Sequence, residues 1–183
     1  MVLTARDIAR LKILSYPDPI LRKKCRPIAE FGGHLPALAE KMWSLMHDHR
    51  GVGLAGPQVG LPWRIFVWNP TGEPGDDRIV FNPKLDKFLG QEEAEEGCLS
   101  IEKVHVVVKR AKSVELTGQD VTGRPFTLSG EDLLARIWQH ENDHLDGRMI
   151  IDYQSGAEEI ANRRALKDLE ARVPRAKRTA QRR

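Results

Sequence analysis

Leu35, Leu38, Ala39, Met42, Leu45 and Met46 recur at spacings of three and four, the period of one helical face. Pro36 stands where a helix can start and Gly51 where one can stop, so the pattern predicts an amphipathic helix over about 36–49. The period then shortens. Arg64-Ile-Phe-Val-Trp68 and Ile79-Val-Phe81 are short apolar runs around a Gly/Pro/Asp cluster at Thr71–Asp77, which reads as two antiparallel strands and their loop. Val104–Val108, Ser113–Thr117 and Pro125–Leu128 are further strand candidates, with the turn residues Val121–Arg124 before the last. Helical spacing returns with Leu133, Ile137, His140 and His144. Ser129 followed by Asp132 has the form of a capping box, and Asp146-Gly147 closes the segment. A last helix is expected from about Ala157 to Val173, ended by Pro174. Helices at both ends with short strands between predict an α+β fold, not alternating βαβ units.

Length places a limit on this picture. The 183 residues suffice for one domain with a core and are too few for two comfortable ones. We expect a single domain over 1–173 and a basic, disordered tail over 174–183. The charge supports that division: from Arg163 to Arg183 there are nine Lys/Arg and two Asp/Glu, so a segment of +7 follows a body of −4. Such a basic end is a partner signal, with nucleic acid the first suspect. The plainer reading is a solvated end. No aromatic residue follows Tyr153, which disfavours base stacking. The N-terminus carries charges throughout, without the apolar stretch of a signal peptide, and no apolar run approaches the ~18 residues of a membrane span. We therefore expect a cytoplasmic protein with no membrane partner. Its two cysteines, Cys25 and Cys98, are more readily ligands or nucleophiles there than a disulfide.

Gly51-Val-Gly-Leu-Ala-Gly-Pro-Gln58 contains G-x-G-x-x-G, the spelling of a dinucleotide fingerprint. A true fingerprint follows a strand and opens a helix, because the helix N-terminus holds the pyrophosphate. Here a helix precedes the glycines and a strand follows, and Pro57 comes directly after the third glycine. No nucleotide cofactor is expected. The glycines instead permit close approach of a ligand or strand, or form a tight connection.

Gln139-His-Glu-Asn-Asp-His144 contains H-E-x-x-H. Four residues advance about 400° around a helix, so His140 and His144 lie one above the other and can bind one metal, with Glu141 in reach of its water. Both continue the stripe of Leu133 and Ile137 and are expected to point inward, where an unligated pair beside a glutamate would be costly. A third protein ligand is needed. Cys98, Cys25, the other histidines and the carboxylates are candidates. Cys98 stands out in Glu95-Glu-Gly-Cys-Leu-Ser-Ile101, although a lone cysteine can equally be a small buried apolar residue.

Three stretches together resemble the motifs of peptide deformylases: Gly51–Gln58, Glu96-Gly-Cys-Leu-Ser100 and Gln139–His144, in order and spacing. The resemblance covers roughly Ile13 to Tyr153. It implies antiparallel sheets packed around a central metal-binding helix, with an N-terminal and a C-terminal helix. It implies hydrolysis of the formyl group of N-formylmethionine on nascent polypeptides, releasing formate. It maps the metal ligands onto Cys98, His140 and His144, the catalytic carboxylate onto Glu141, and the oxyanion donors onto Gln58 and the Leu99 N–H. Gly53 maps onto a contact with the substrate strand. One divalent metal is implied, commonly Fe(II), with zinc or nickel possible. On this reading the peptide lies along Gly51–Gly53, and Val52, Ile137 and His140 are candidates for the methionine pocket. Trp138 either narrows that pocket or sits in the core. Asp143 either orients a neighbour or lies on the surface. The chain departs from the family pattern at Gly56, usually alanine, which is expected to loosen the loop beside Gln58. Glu102 stands where many members have proline, and His105 near where some have an arginine.

The alternative is an H-E-x-x-H metallopeptidase cleaving internal bonds. It would usually take a third His or Glu ligand downstream, but no histidine follows His144, leaving Asp146, Asp152, Glu158 and Glu159. A third reading is a catalytically silent RNA- or ribosome-binding protein.

Overall fold

A computed structural model describes residues 3–172. Helix α1, Ala5–Ala9, opens on a capping box in which Thr4 and Asp7 satisfy each other's N–H groups. The hydrophobic pattern did not announce this short helix. Helix α2, Leu35–Asp48, carries proline in its first turn and buries Leu35, Leu38, Ala39, Met42, Leu45 and Met46, the stripe read from the sequence. Each such Leu or Met side chain, fully buried, contributes roughly 1.5–3 kcal/mol.

Strand β1, Gly53–Ala55, follows directly, then a 3-10 turn at Gly56–Val59 and strand β2, Ile65–Trp68. β3 runs from Arg78 to Leu89, β6 from Ser113 to Gln119 and β7 from Pro125 to Glu131. These five strands form one antiparallel sheet in the order β1-β2-β3-β6-β7. β4, Glu92–Cys98, and β5, Ile101–Arg110, form a second, two-stranded antiparallel sheet. Helix α3, Asp132–Leu145, lies against strands of the larger sheet, including β1, β2, β3, β6 and β7. Helix α4, Gly156–Ala171, packs on β5. The fold is thus α+β, as the order of periods predicted, with antiparallel sheets flanking α3.

Several boundaries differ from the sequence reading. β3 reaches eight residues past Phe81, and β4 was not predicted. β4 is acidic and mostly exposed, so its burial alternation is faint; its pairing with β5 holds it in place. Ser129 does not start a helix. It sits in β7 opposite Glu115, because pairing with β6 continues to Glu131, which caps α3 without a side-chain bond. Leu133 does not face inward: it is 51% exposed, whereas Ile137 is 4% exposed. Trp138 belongs to the core, edge-on to Trp68 at 5.7 Å between ring centroids. α4 ends at Ala171; Pro174 and the basic tail lie outside the described residues. Among the described residues no helix is long and apolar enough to cross a membrane.

Gly56 does not loosen the chain. It is buried, and a Cβ there would lie 2.7 Å from the Trp63 carbonyl oxygen and 3.0 Å from that of Leu61. Both are backbone atoms and cannot swing aside. Gly56→Ala is therefore expected to destabilise the protein by about 1–3 kcal/mol, as overpacking does. Denaturant unfolding of the two proteins checks this.

Candidate active site

The three motifs converge. The 3-10 turn after β1 brings Gln58 under β1, the end of β4 brings Cys98, and α3 brings His140, Glu141 and His144. Gln58, Cys98, His140 and Glu141, together with Gly51, Val52, Gly53, Leu99, Leu133, Ile137 and others, line a cavity of about 370 Å³. His144 is buried and does not line it.

Cys98, His140 and His144 each offer one ligand atom within 4.8 Å of the others. Sγ of Cys98 is 3.3 Å from Nε2 of His144, and the two imidazoles meet edge to face with centroids 5.0 Å apart. This one-turn stacking is what the spacing of four predicts. His140 gives its Nδ1 to Glu96 at 2.9 Å, which leaves Nε2 for the cluster. Such a carboxylate partner fixes the ring's tautomer and orientation, as is usual for a metal-binding histidine. Burial pulls His144 well below the ordinary histidine value, keeping it neutral. For His140 burial acts the same way, but hydrogen bonds to Cys98 and Glu96 outweigh it and raise its pKa. At the site, Glu141 Oε2 and His144 Nδ1 are buried and have no hydrogen-bond partner among the described residues. A sulfur and two nitrogens, clustered beside an unsatisfied carboxylate, fit one divalent cation with an open position.

Glu141 is 4% exposed. Burial is the main cause that lifts its pKa to about 7, a range suited to a group that must both take and return a proton. The residue beside it explains one glycine. A Cβ on Gly53 would lie 2.8 Å from the carboxyl carbon of Glu141, and closer still to Oε1. Gly53→Ala is expected to fold but to displace this carboxylate. A fall of about 10²-fold in kcat is expected, the size of effect a small misplacement of reacting groups produces. Unchanged kcat would contradict that tight fit.

Gln58 is 1% exposed. Its Oε1 accepts the Ala55 N–H at 2.7 Å, so its Nε2 must point the other way, 3.5 Å from Cys98 Sγ and 3.3 Å from Ser100 Oγ. The amide is thereby fixed as a donor toward the cavity. The Val52 carbonyl accepts from Asn69 beside β2. Backbone groups alternate along a strand, so the N–H and C=O of Gly53 turn away from β2. β1 is the edge of its sheet.

Behind these residues lies a charged network that motif reading did not resolve. Glu96 accepts from Arg110 at 3.0 and 2.9 Å and from Arg136 at 2.8 Å, in addition to His140. Arg110 also reaches Asp143 at 2.5 Å, and Asp143 accepts from the Tyr153 hydroxyl at 2.8 Å. Asp143 is therefore an orienting group, not a free surface acid. The signal was present: Arg110 continues the inward alternation of Val104, Val106 and Val108, and Arg136 lies one turn before His140. Cys25, by contrast, is buried away from the cluster, and burial pushes its thiol up to about 11.

Burial alone would raise the Glu96 pKa, yet the hydrogen bonds from His140 and Arg110 hold it at about 2, against an ordinary 4.5. A depressed carboxylate stabilises the fold above its unfolded value and loses that contribution as pH falls through its folded value. We expect roughly 3 kcal/mol of stability to disappear as pH is lowered from 4.5 toward 2. Urea midpoints across that window measure it.

The comparisons with known proteins agree with this geometry. A family model described as polypeptide deformylase matches residues 10–159. A peptide deformylase of Rhodopirellula baltica is 43% identical over 144 residues, covering 78% of this chain and 72% of that one. Peptide deformylase 1B of Arabidopsis thaliana, chloroplastic/mitochondrial, is 43% identical over 145 residues; the match covers 78% of this chain and 53% of the plant protein, about half its length. A crystal structure of a peptide deformylase from Legionella pneumophila superposes with a TM-score of 0.83 at 40% identity, over 90% of this chain and 99% of that one.

Proposed function

Because the chain belongs to the polypeptide deformylase family, we propose that it is a metal-dependent hydrolase. It removes the formyl group from N-formylmethionine at the start of nascent polypeptides and releases formate. The observation that carries the reading is the cluster of Cys98, His140 and His144 beside the unsatisfied carboxylate of Glu141. Cys98, His140 and His144 would hold one divalent ion, and the mixed thiolate and imidazole set suits Fe(II), zinc or nickel. When bound, that ion supplies Lewis acidity, which activates water and polarises a carbonyl oxygen.

The chain's own residues do the rest. The peptide adds as a strand along Gly51–Gly53, whose Gly53 backbone groups face the cavity, giving affinity without reading most side chains. Val52, Ile137 and the His140 ring give the methionine side chain an apolar wall, and Leu133 extends it at the mouth. Glu141 takes a proton from the attacking water. The Gln58 Nε2 and the Leu99 N–H donate to the formyl oxygen as it gains negative charge, each worth about 2.7–4 kcal/mol when such a donor is lost. Glu141 then delivers its proton to the departing amine.

The reading includes a cytoplasmic location and a role for the basic C-terminal segment. Arg163, Arg164 and Lys167 of α4, with the residues beyond 173, would hold the enzyme near the ribosome, where formylated chains emerge. Unchanged ribosome co-sedimentation after deletion of 174–183, across salt concentrations, would remove that role. The reaction itself is tested by mass spectrometry of a formylated peptide after incubation. Loss of the formyl group alone supports deformylation, and fragments from internal cleavage support the peptidase alternative.

A further inference from the structure

The mouth of the cavity carries a charge that the chemistry above leaves unused. Arg50 lies between α2 and β1, in left-handed backbone at φ 56°, with its N–H bonded to the His47 carbonyl at 2.9 Å. It is exposed, and it lines the same cavity as Gly53, Cys98 and Glu141. Among the described residues its guanidinium has no hydrogen bond and no ion pair. Several other arginines are matched: Arg22 with Asp152, Arg64 with Asp146, Arg172 with Glu102. Arg136, which also lines the cavity, is fully engaged by Glu96 and two carbonyls. Asp48, two residues before Arg50, accepts from the Ser44 hydroxyl.

Position gives this cation a meaning. Gly53 leaves no room for a Cβ beside the carboxylate of Glu141 and so marks the reacting end. Arg50 precedes Gly53 by three residues, in the turn that leads from α2 into the edge strand, and both line one cavity. A peptide whose formylated end sits at Glu141 brings the side chains that follow its first residue toward the exposed mouth, where Arg50 stands. Glu95 lines the same cavity from β4.

We propose that Arg50 is a specificity-determining residue, favouring formylated peptides that carry Asp or Glu at the second or third position. The proposal rests on the deformylase reading. Its test is kcat/KM for formyl-Met-Ala-Ser and for peptides with Asp or Lys at either position, at low and high salt. Asp is expected to exceed Lys by about two- to fivefold at one position, chiefly through KM, the size an exposed ion pair gives. High salt and Arg50→Gln should each collapse the ratio, since the interaction is screened. Arg50→Glu should reverse it in favour of Lys, a gain that misfolding cannot produce. Equal rates for Asp and Lys, a preference for Lys in the wild type, or a preference for Asp that survives Arg50→Gln would overturn this inference alone. Absence of turnover with every formylated peptide would remove the deformylase reading and this proposal with it.

Discussion

Glu141→Gln is expected to keep its metal and lose about 10²–10⁴-fold in kcat, the contribution of a positioned general base. The amide has nearly the same shape, so the tight contact with Gly53 survives, and the ligand atoms of Cys98, His140 and His144 are untouched. What is lost is a group that can accept a proton. The proposed role needs a carboxylate that takes a proton and gives it back, for which burial that raises Glu141 to about 7 is suited, and an amide does neither. The measurement is kcat beside metal content per chain. Retained activity would take Glu141 out of the base role, while lost metal would make it a structural support of the cluster.

Cys98→Ala is expected to empty the metal site or change its coordination. The remaining ligands would be two imidazoles in a pocket built for three donors, and the Gln58 Nε2 would lose its contact with sulfur. Affinity should fall by more than the ~10–100-fold typical of losing a group that only supports a ligand. Cobalt substitution reads the outcome directly, because a thiolate ligand gives a charge-transfer band that alanine cannot. Cys25→Ala is the control: that thiol is buried in a separate apolar cluster with Phe66 and Ala135, and its loss should leave the band in place. An unchanged cobalt spectrum in Cys98→Ala would reject the sulfur as a ligand.

Much of this site was legible because its parts are local. H-E-x-x-H fixes the stacking of His140 and His144 through helix geometry alone, and the alternation of β5 and the stripe of α2 specify both elements locally. The misses share another cause. Ser129 had the residue type of a helix cap, but pairing with β6 over the whole of β7 decided its state. Leu133 fits the inward stripe by periodicity, yet α3 has an open cavity at its N-terminal turn, so the residue is left at the mouth. Gly56 looked like slack in a loop and is instead confined by carbonyls of Leu61 and Trp63, a contact that local spacing does not specify. Glu96 sits in an acidic run that reads as surface. Two arginines and a histidine from distant segments bury it. What local periodicity could not supply was tertiary context: which faces find a partner.

The most direct test of the account is formate release from formyl-Met-Ala-Ser by protein purified without oxygen and with its metal retained, beside Glu141→Gln under the same conditions. Release by the wild type and none above background by the variant is the predicted result. No release by wild-type protein with metal bound would contradict the account and turn attention to the peptidase reading.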